Sequence, residues 1–173
     1  LALSETWLDK KTTYNINGYK SHYNSIGPGR GLALYYKSEI FKPGPEIKEE
    51  KMQISKLESK EVDVIIVYRS EQGNLTDLVE QLKMLINTGV NTVVTGDFNL
   101  CYVANKHNKV TKYLENEGFS QLMNEPTHMK GRHLDHLYFR PGSKPVQIPS
   151  VYRHSPYYSD HDAICATIQI SDI

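Results

Sequence analysis

Residues 90–99 read VNTVVTGDFN, a β-branched apolar run that leads directly into Gly96, Asp97 and Asn99. Val and Thr are enriched in buried strands, whereas Gly, Asp and Asn favour turns. The stretch therefore predicts a strand over residues 90–95 that ends in polar side chains. Strand ends are common positions for functional residues, because the sheet fixes them and the loops leave room for a substrate.

The segments around this stretch alternate between strand and helix patterns. Further strands are predicted over residues 1–4, 30–36, 61–68, 133–139 and 163–170, and the turn-forming run 27–29 introduces the second of them. Helices are predicted over residues 75–86, with Asn74 as N-cap and Gly89 past the end, and over residues 109–117, ending at Gly118. Residues 42–60 are interpreted as a surface connection with room for one edge strand, and residues 140–158 as a long loop or hairpin.

Strands outnumber helices, and the helices lie between strands, which favours a mixed α/β sandwich over a purely parallel sheet. With 173 residues, 39% hydrophobic and 23% charged, the chain is expected to form a single globular domain over residues 1–173. No apolar run approaches the length of a membrane span, so no membrane partner is expected. Cys101 and Cys165 form no metal-ligand pattern, and a reducing compartment without disulfides is expected.

The formal net charge of zero argues against strong non-specific binding of nucleic acid, although acidic residues gathered at one site can mask a basic rim. Acidic and imidazole groups do recur at predicted strand ends, namely Glu5, Asp97, Asp135, Asp160 and His161. Each taken alone is explained by a surface charge, a turn or a cap. Several carboxylates that converge would repel one another unless a cation joined them, and oxygen ligands suit Mg²⁺ or Mn²⁺. A nearby His can deprotonate water, and an Asp behind it would hold the right tautomer.

The order of these motifs is more specific than any one of them. The chain carries, in sequence, Ser-Glu-Thr-Trp-Leu at 4–8, Gly-Leu-Ala-Leu-Tyr at 31–35, Tyr-Arg-Ser at 68–70, Gly-Asp-Phe-Asn at 96–99, Leu-Asp-His at 134–136 and Ser-Asp-His at 159–161. This series resembles the endonuclease/exonuclease/phosphatase superfamily over nearly the whole chain. Together with Glu-Pro-Thr-His at 125–128, it most resembles the endonuclease domains of non-LTR retrotransposons and related mobile elements.

The resemblance implies a four-layered α/β sandwich of two mixed, mostly antiparallel sheets flanked by helices. It also implies Mg²⁺-dependent hydrolysis of phosphodiester bonds, with Mn²⁺ as an alternative, and nicking of DNA. The implied catalytic residues are Tyr68, Asp97, Asn99, Asp135 and His161, and the implied metal ligands are Glu5 and Asp160. His161 would pair with Asp135, and either Asp97 or His161 would be the general base.

The resemblance further implies one strand before residue 1, ending in an Asn at the metal site, so that residues 1–173 are an N-terminally incomplete domain. We therefore expect an N-terminally extended domain to be the active form, linked to further domains in a longer protein. An intracellular, nuclear location is expected. Two alternatives stay open, a phosphatase of the same superfamily acting on inositol phosphates or phospholipids, and a non-catalytic remnant that binds nucleic acid.

Contacts with DNA are expected from basic and aromatic residues near the motif loops. The basic candidates are Arg30, Arg69, Arg132, His133 and Arg153, and the aromatic candidates are Tyr152, Tyr157 and Tyr158. For each arginine, ordinary surface charge is an equally good explanation. The tyrosines would stack on a base or enter a groove, or else pack within a hairpin.

Overall fold

A computed structural model describes residues 1–7, 13–27 and 30–170. The strands are β1 (Ala2–Ser4), β2 (Lys20–Gly27), β3 (Arg30–Tyr36), β4 (Lys42–Glu49), β5 (Met52–Glu58), β6 (Val62–Arg69), β7 (Asn91–Asp97), β8 (Ser120–Gln121), β9 (Asp135–Arg140), β10 (Val146–His154) and β11 (Ala163–Ile170). The helices are α1 (Leu75–Leu85) and α2 (Lys109–Asn116). Leu8 of the first motif, and Pro28 and Gly29 of the expected turn, lie outside the described residues.

The largest sheet has six strands in the order β4-β5-β6-β7-β9-β8. β6 and β7 pair in parallel, because α1 carries the chain back across the sheet between them, and the other pairs are antiparallel. Two smaller antiparallel sheets, β1-β3-β2 and β10-β11, form a second layer. The expected α/β class with mostly antiparallel sheets is confirmed.

The two faces of the six-stranded sheet bury different partners. On one face, α1 and α2 pack against apolar residues of β5, β6 and β7, with Ile65, Val67 and Val94 at the centre. On the other face, Leu32 and Leu34 of β3 pack against Ile66 and Tyr68 of β6. The β10-β11 hairpin covers Val62, Val93 and Leu137 on that same face. Within the described residues, both helices therefore flank the large sheet on one side and the two small sheets cover the other.

The interpretation of residues 42–60 was wrong, because they form two paired strands and β5 lies inside the six-stranded sheet. The sequence did not predict a central strand here because it contains Lys56, a charged residue that usually lies at the surface. In the structure the side chain of Lys56 is buried. Its Nζ lies 2.9 Å from Asp63 Oδ2 and 3.3 Å from Glu58 Oε1, and it donates to the Leu85 carbonyl. Buried charges are tolerated when they are paired. The partner of Lys56 is Asp63 on the neighbouring strand β6, and the residues next to Lys56 in the sequence do not predict this pair.

Other segments differ less from expectation. Residues 140–158 form neither a long loop nor a hairpin of their own, because they contain the strand β10, which pairs with β11 beyond the segment. Strands β2 and β8 were not predicted. Both cysteines are free, and no helix of the described residues is long and apolar enough to cross a membrane.

Gly96 allows β6 and β7 to approach closely at the end where the motif residues lie. Its φ of 130° is strained for any other residue, and an added Cβ would overlap the Val67 carbonyl oxygen. A side chain at this position would push the two strands apart.

Candidate active site

Three adjacent strands bring motif residues together at one end of the large sheet. The parallel register pairs Tyr68 of β6 with Asp97 of β7, and the antiparallel register pairs Asp97 with Asp135 of β9. Residues that pair across a sheet direct their side chains to the same face. The three side chains therefore share the face that the small sheets cover.

Asp97 is the most enclosed carboxylate of this group, with 2% of its surface exposed. Its Oδ1 accepts a hydrogen bond of 2.8 Å from the Asn99 backbone N–H, and its Oδ2 accepts one of 3.3 Å from Asn99 Nδ2. Burial, and secondarily the negative charge of Asp135, raise the pKa of Asp97 to about 7. The Asp97 carboxyl therefore titrates near neutral pH.

Asn99 is held in a strained backbone conformation with φ 47°, in which its amide also donates to the Arg69 carbonyl at 2.9 Å. Left-handed non-glycine residues persist only where the surroundings enforce them, and they cluster at functional sites. Arg69 holds the loop that contains Asn99 in this conformation. Its guanidinium donates to the carbonyls of Phe98 at 2.7 Å and Asn99 at 2.9 Å, and to those of Glu71 and Gly73.

The expectation that Arg69 contacts DNA was therefore wrong. The residue is only 4% exposed, and its donors are used on backbone carbonyls. His133 is likewise buried, at 1% exposure, and packs on Tyr102 instead of facing DNA. Burial lowers the pKa of His133, so that its ring is neutral at physiological pH.

His161 and Asp135 form a hydrogen-bonded pair in which His161 Nδ1 lies 2.8 Å from Asp135 Oδ2. This hydrogen bond raises the pKa of His161 to about 9. At neutral pH the imidazole is therefore a cation that donates through Nδ1. The nearest ligand atoms of Asp97, Asp135 and His161 all lie within 4.8 Å of one another.

Glu5 joins the group from the second layer, directly after β1. The Tyr68 hydroxyl donates to Glu5 Oε1 at 2.9 Å, and burial raises the pKa of Tyr68, so that the hydroxyl keeps its proton. Glu5 has a φ of 50°, which is a second strained residue at this site. The charge of Glu5 also contributes, less than burial and Asp135, to raising the pKa of Asp97.

Asp97 and Asp135 offer carboxylate oxygens that lie, with a ring nitrogen of His161, within 4.8 Å of one another. Glu5 offers a further carboxylate oxygen from the facing layer, but it is not a member of that group. Mg²⁺ and Mn²⁺ prefer such oxygen ligands.

Asp160, expected as a second metal ligand, has a different contact. Its Oδ2 lies 3.2 Å from His128 Nε2, and its side chain is 58% exposed. His128 was missed as a site residue, although the Pro-Thr-His stretch that contains it was part of the motif series.

The remaining arginines lie at the surface and contact carboxylates. Arg153 lies 2.6 Å from Glu125 and 2.8 Å from Asp162, so it contacts two carboxylates where the other two arginines each contact one. Arg30 lies 3.0 Å from Glu50 and Arg132 lies 3.5 Å from Glu71, each with 41% of its side chain exposed. Such exposed pairs are weak, and both arginines can exchange a carboxylate for a phosphate. The three tyrosine candidates are exposed, and Tyr152 lies on β10 instead of in a loop, whereas Tyr157 and Tyr158 follow that strand.

Comparisons with known proteins give one matching family and several similar folds. The profile of the Endonuclease/Exonuclease/phosphatase family matches residues 1–161. The fold is similar to the endonuclease domain of TRAS1, a telomere-specific non-LTR retrotransposon, with 10% identity, a TM-score of 0.63, and coverage of 90% of this chain and 80% of that one. It is also similar to a protein of the same family from Leptotrichia buccalis, with 12% identity, a TM-score of 0.64, and coverage of 98% and 86%.

A third similar structure is D. rerio TDP2 complexed with a single-strand DNA product, with 12% identity, a TM-score of 0.57, and coverage of 88% and 77%. At these identities the likeness to each structure is one of fold. No curated protein sequence matches the chain.

Proposed function

Because the chain belongs to the endonuclease/exonuclease/phosphatase family, whose members hydrolyse phosphodiester bonds, we propose that it is a divalent-metal-dependent endonuclease of the mobile-element type that nicks DNA. The observation that carries this proposal is the buried Asp97 carboxylate, which lies between the Asn99 loop and the His161–Asp135 pair. A carboxylate in this position can deprotonate a water molecule next to the His161 imidazolium, which Asp135 holds in place.

We assign the general base to Asp97 and not to His161. A general base works best when its pKa lies near the operating pH, and burial raises the pKa of Asp97 to about 7. His161 has a pKa raised to about 9 by Asp135, so it carries its proton at neutral pH and cannot take another. Its Nε2, across the ring from Asp135, is the atom that we assign to a phosphate oxygen.

The other residues orient the reactants. The Asn99 amide donates to Asp97 Oδ2 and to the Arg69 carbonyl, and the Tyr68 hydroxyl donates to Glu5, so we assign both residues to holding these carboxylates in place before the reaction. Glu5 is the residue that we assign to Mg²⁺ or Mn²⁺. When bound, the metal would neutralise charge that develops on the phosphate.

DNA as the substrate is supported by the fold shared with a retrotransposon endonuclease domain and with a protein bound to a DNA product. Arg30 and Arg132 are the residues that we assign to phosphate contacts outside the catalytic group. A nuclear location and linkage to further domains follow from the mobile-element type and are proposed with it.

A plasmid-nicking assay tests the proposal. Supercoiled plasmid is incubated with Mg²⁺ and either the 173-residue chain or an N-terminally extended version, and relaxed circles are quantified over time. Asp97→Asn is expected to reduce nicking by roughly 10²–10⁴-fold, the usual contribution of a positioned acid–base group. Asp77→Asn, at the exposed start of α1, is the matched control and should nick normally.

The same preparations decide between the alternatives. Release of phosphate from inositol phosphates, with the plasmid left intact, would show that the protein is a phosphatase and not an endonuclease. Folded protein that binds DNA and hydrolyses neither substrate would identify a non-catalytic remnant.

A further inference from the structure

His128 lies against the catalytic group without belonging to it. Only 4% of its side chain is exposed, and its backbone forms an antiparallel bridge with His161. Two flanking hydrogen bonds extend this bridge, one from Met129 N to the Asp160 carbonyl at 2.9 Å and one from Asp162 N to the Thr127 carbonyl at 2.7 Å. Residues 127–129 therefore hold the turn that carries Asp160 and His161.

The hydrogen bonds of His128 define its tautomer. The Lys130 backbone N–H donates to His128 Nδ1 at 3.1 Å, so Nδ1 offers a lone pair and Nε2 carries the proton. Nε2 faces Asp160 Oδ2 at 3.2 Å and can donate to it. The ring also packs edge to face on His161, with the centroids 4.8 Å apart and the planes at 84°.

This tautomer argues against a metal at the same place. Ligand atoms of His128, Asp160 and His161 lie within 4.8 Å of one another, which by distance alone would suit a cation. A metal on His128 Nε2 would need the lone pair there, and the proton would then move to Nδ1, opposite the Lys130 N–H. The cluster is therefore better described as a chain of hydrogen bonds from Lys130 N–H through His128 to Asp160.

We propose that His128 is a positioning residue for the nuclease reaction, which orients Asp160 through Nε2–H and supports the ring of His161. This inference rests on the proposed function. Asp160 acts in it as a hydrogen-bond acceptor, and not as a metal ligand. With Asp135 on one side and His128 on the other, His161 is held in one orientation toward the substrate.

Kinetics of three variants test the role. His128→Phe keeps a ring against His161 but removes the donor, whereas His128→Gln keeps an amide N–H where Nε2 lies. His128→Phe should lower kcat roughly 10–100-fold, as losses of such supporting contacts typically do, with KM for DNA little changed. His128→Gln should recover most of the rate. The matched control is His22→Phe, which removes another His–carboxylate pair, His22 Nε2 to Glu46 Oε2 at 2.8 Å, and should leave kcat unchanged.

A double-mutant comparison separates positioning from general damage to the fold. If His128 acts through Asp160, adding Asp160→Ala to His128→Phe should cost nothing further, because each change removes the hydrogen bond between His128 Nε2–H and residue 160. Equal rates for His128→Phe and wild type, no recovery by His128→Gln, or fully additive losses would each overturn the proposal.

A spectroscopic readout keeps the inference testable even if the protein does not nick DNA. The ¹⁵N shifts of the His128 ring report which nitrogen carries the proton. The expected result is a protonated Nε2 in the wild type and a shifted Nε2 signal in Asp160→Ala, which has no acceptor. Protonation at Nδ1, or an unchanged Nε2 signal in Asp160→Ala, would refute the positioning role, whereas absence of nicking alone would refute the proposed function.

Discussion

At the scale of single residues, the candidate site combines acidic groups whose surroundings differ in polarity. Asp97 is buried and its pKa is raised, whereas Asp135 faces the His161 imidazolium. Neighbouring carboxylates in different environments can take different roles, and the raised pKa of Asp97 is the reason that we assign it as the base. His161 is protonated at neutral pH because the hydrogen bond to Asp135 raises its pKa.

The His161–Asp135 pair leads to a pH prediction. Asp135→Asn should lower the pKa of His161 from about 9 toward the ordinary value of about 6.5. Because the folded-state pKa is raised, the pair stabilises the protein fully below about pH 6.5, and this stabilisation is lost as pH rises through about 9. The stability gap between wild type and Asp135→Asn should therefore narrow from pH 6.5 to 9.

NMR titration of His161 and urea unfolding at several pH values check this prediction. Asp77→Asn, far along the chain on α1, is the control that should shift neither quantity. An unshifted His161 in Asp135→Asn would show that the pair is not maintained in solution.

Arg69 gives a second prediction at this scale. Arg69→Ala should lower the free energy of unfolding by at least about 3 kcal/mol, because each buried carbonyl left unpaired costs roughly 1–3 kcal/mol. Arg69→Lys should recover little of this, since an ammonium cannot reach carbonyls of two loops as a planar guanidinium does. Arg30→Ala, on an exposed pair, should cost less than about 1 kcal/mol.

Urea unfolding measures these differences. A stable Arg69→Ala protein with weakened DNA binding and a reduced salt dependence would restore the DNA-contact role.

At the scale of elements, the parallel pair β6–β7 determines where Tyr68 and Asp97 meet. A one-residue change of register would turn either side chain to the helical face, so the site requires this register. The close approach of the two strands at Gly96 contributes to maintaining it.

Gly96→Ala should therefore be severely destabilising, by more than about 4 kcal/mol or with loss of soluble protein, because the new Cβ would meet the Val67 carbonyl. Gly89→Ala is the matched control, since Gly89 also has a positive φ of 74° but nothing within 4 Å of an added Cβ. It should cost only the backbone strain of about 1–2 kcal/mol. Thermal melts of both variants measure the difference. Equal melting temperatures would mean that β6 and β7 can move apart at residue 96 without loss of stability.

At the scale of the whole molecule, the site forms only where the two layers meet. Glu5 follows β1 of the small sheet, whereas Tyr68 and Asp97 belong to the large sheet, and the Tyr68–Glu5 hydrogen bond joins them. A ligand bound between the layers should therefore stabilise the whole fold.

Mg²⁺ should raise the melting temperature of the wild type, by an amount that corresponds to about 2.7 kcal/mol when its concentration is about 100 times Kd. Glu5→Gln should remove most of this shift, because the proposed ligand loses its charge. Glu39→Gln, an exposed acid in the turn after β3, should retain it. Asp160→Asn should also retain it, and loss of the shift in this variant with its retention in Glu5→Gln would move the metal to Asp160.

The sequence alone determined the features that depend on neighbouring residues. The β-branched runs around residues 62–68 and 91–95 form strands, and Asn74 caps α1 by accepting from Thr76 N. The order of the motifs also identified the family, because the hydrolysis of phosphodiester bonds needs particular residue types at strand ends.

Only the tertiary structure decided how the polar residues are used. Arg69 and Arg30 look alike in the sequence, yet one is buried among carbonyls and the other lies at the surface. Lys56 is inside the sheet because Asp63 of β6 meets it there, and His128 reaches the site because its segment pairs with residue 161. Burial and hydrogen-bond partners come from residues distant in the chain, and a charged side chain has the same appearance in the sequence whether it meets water or a buried partner.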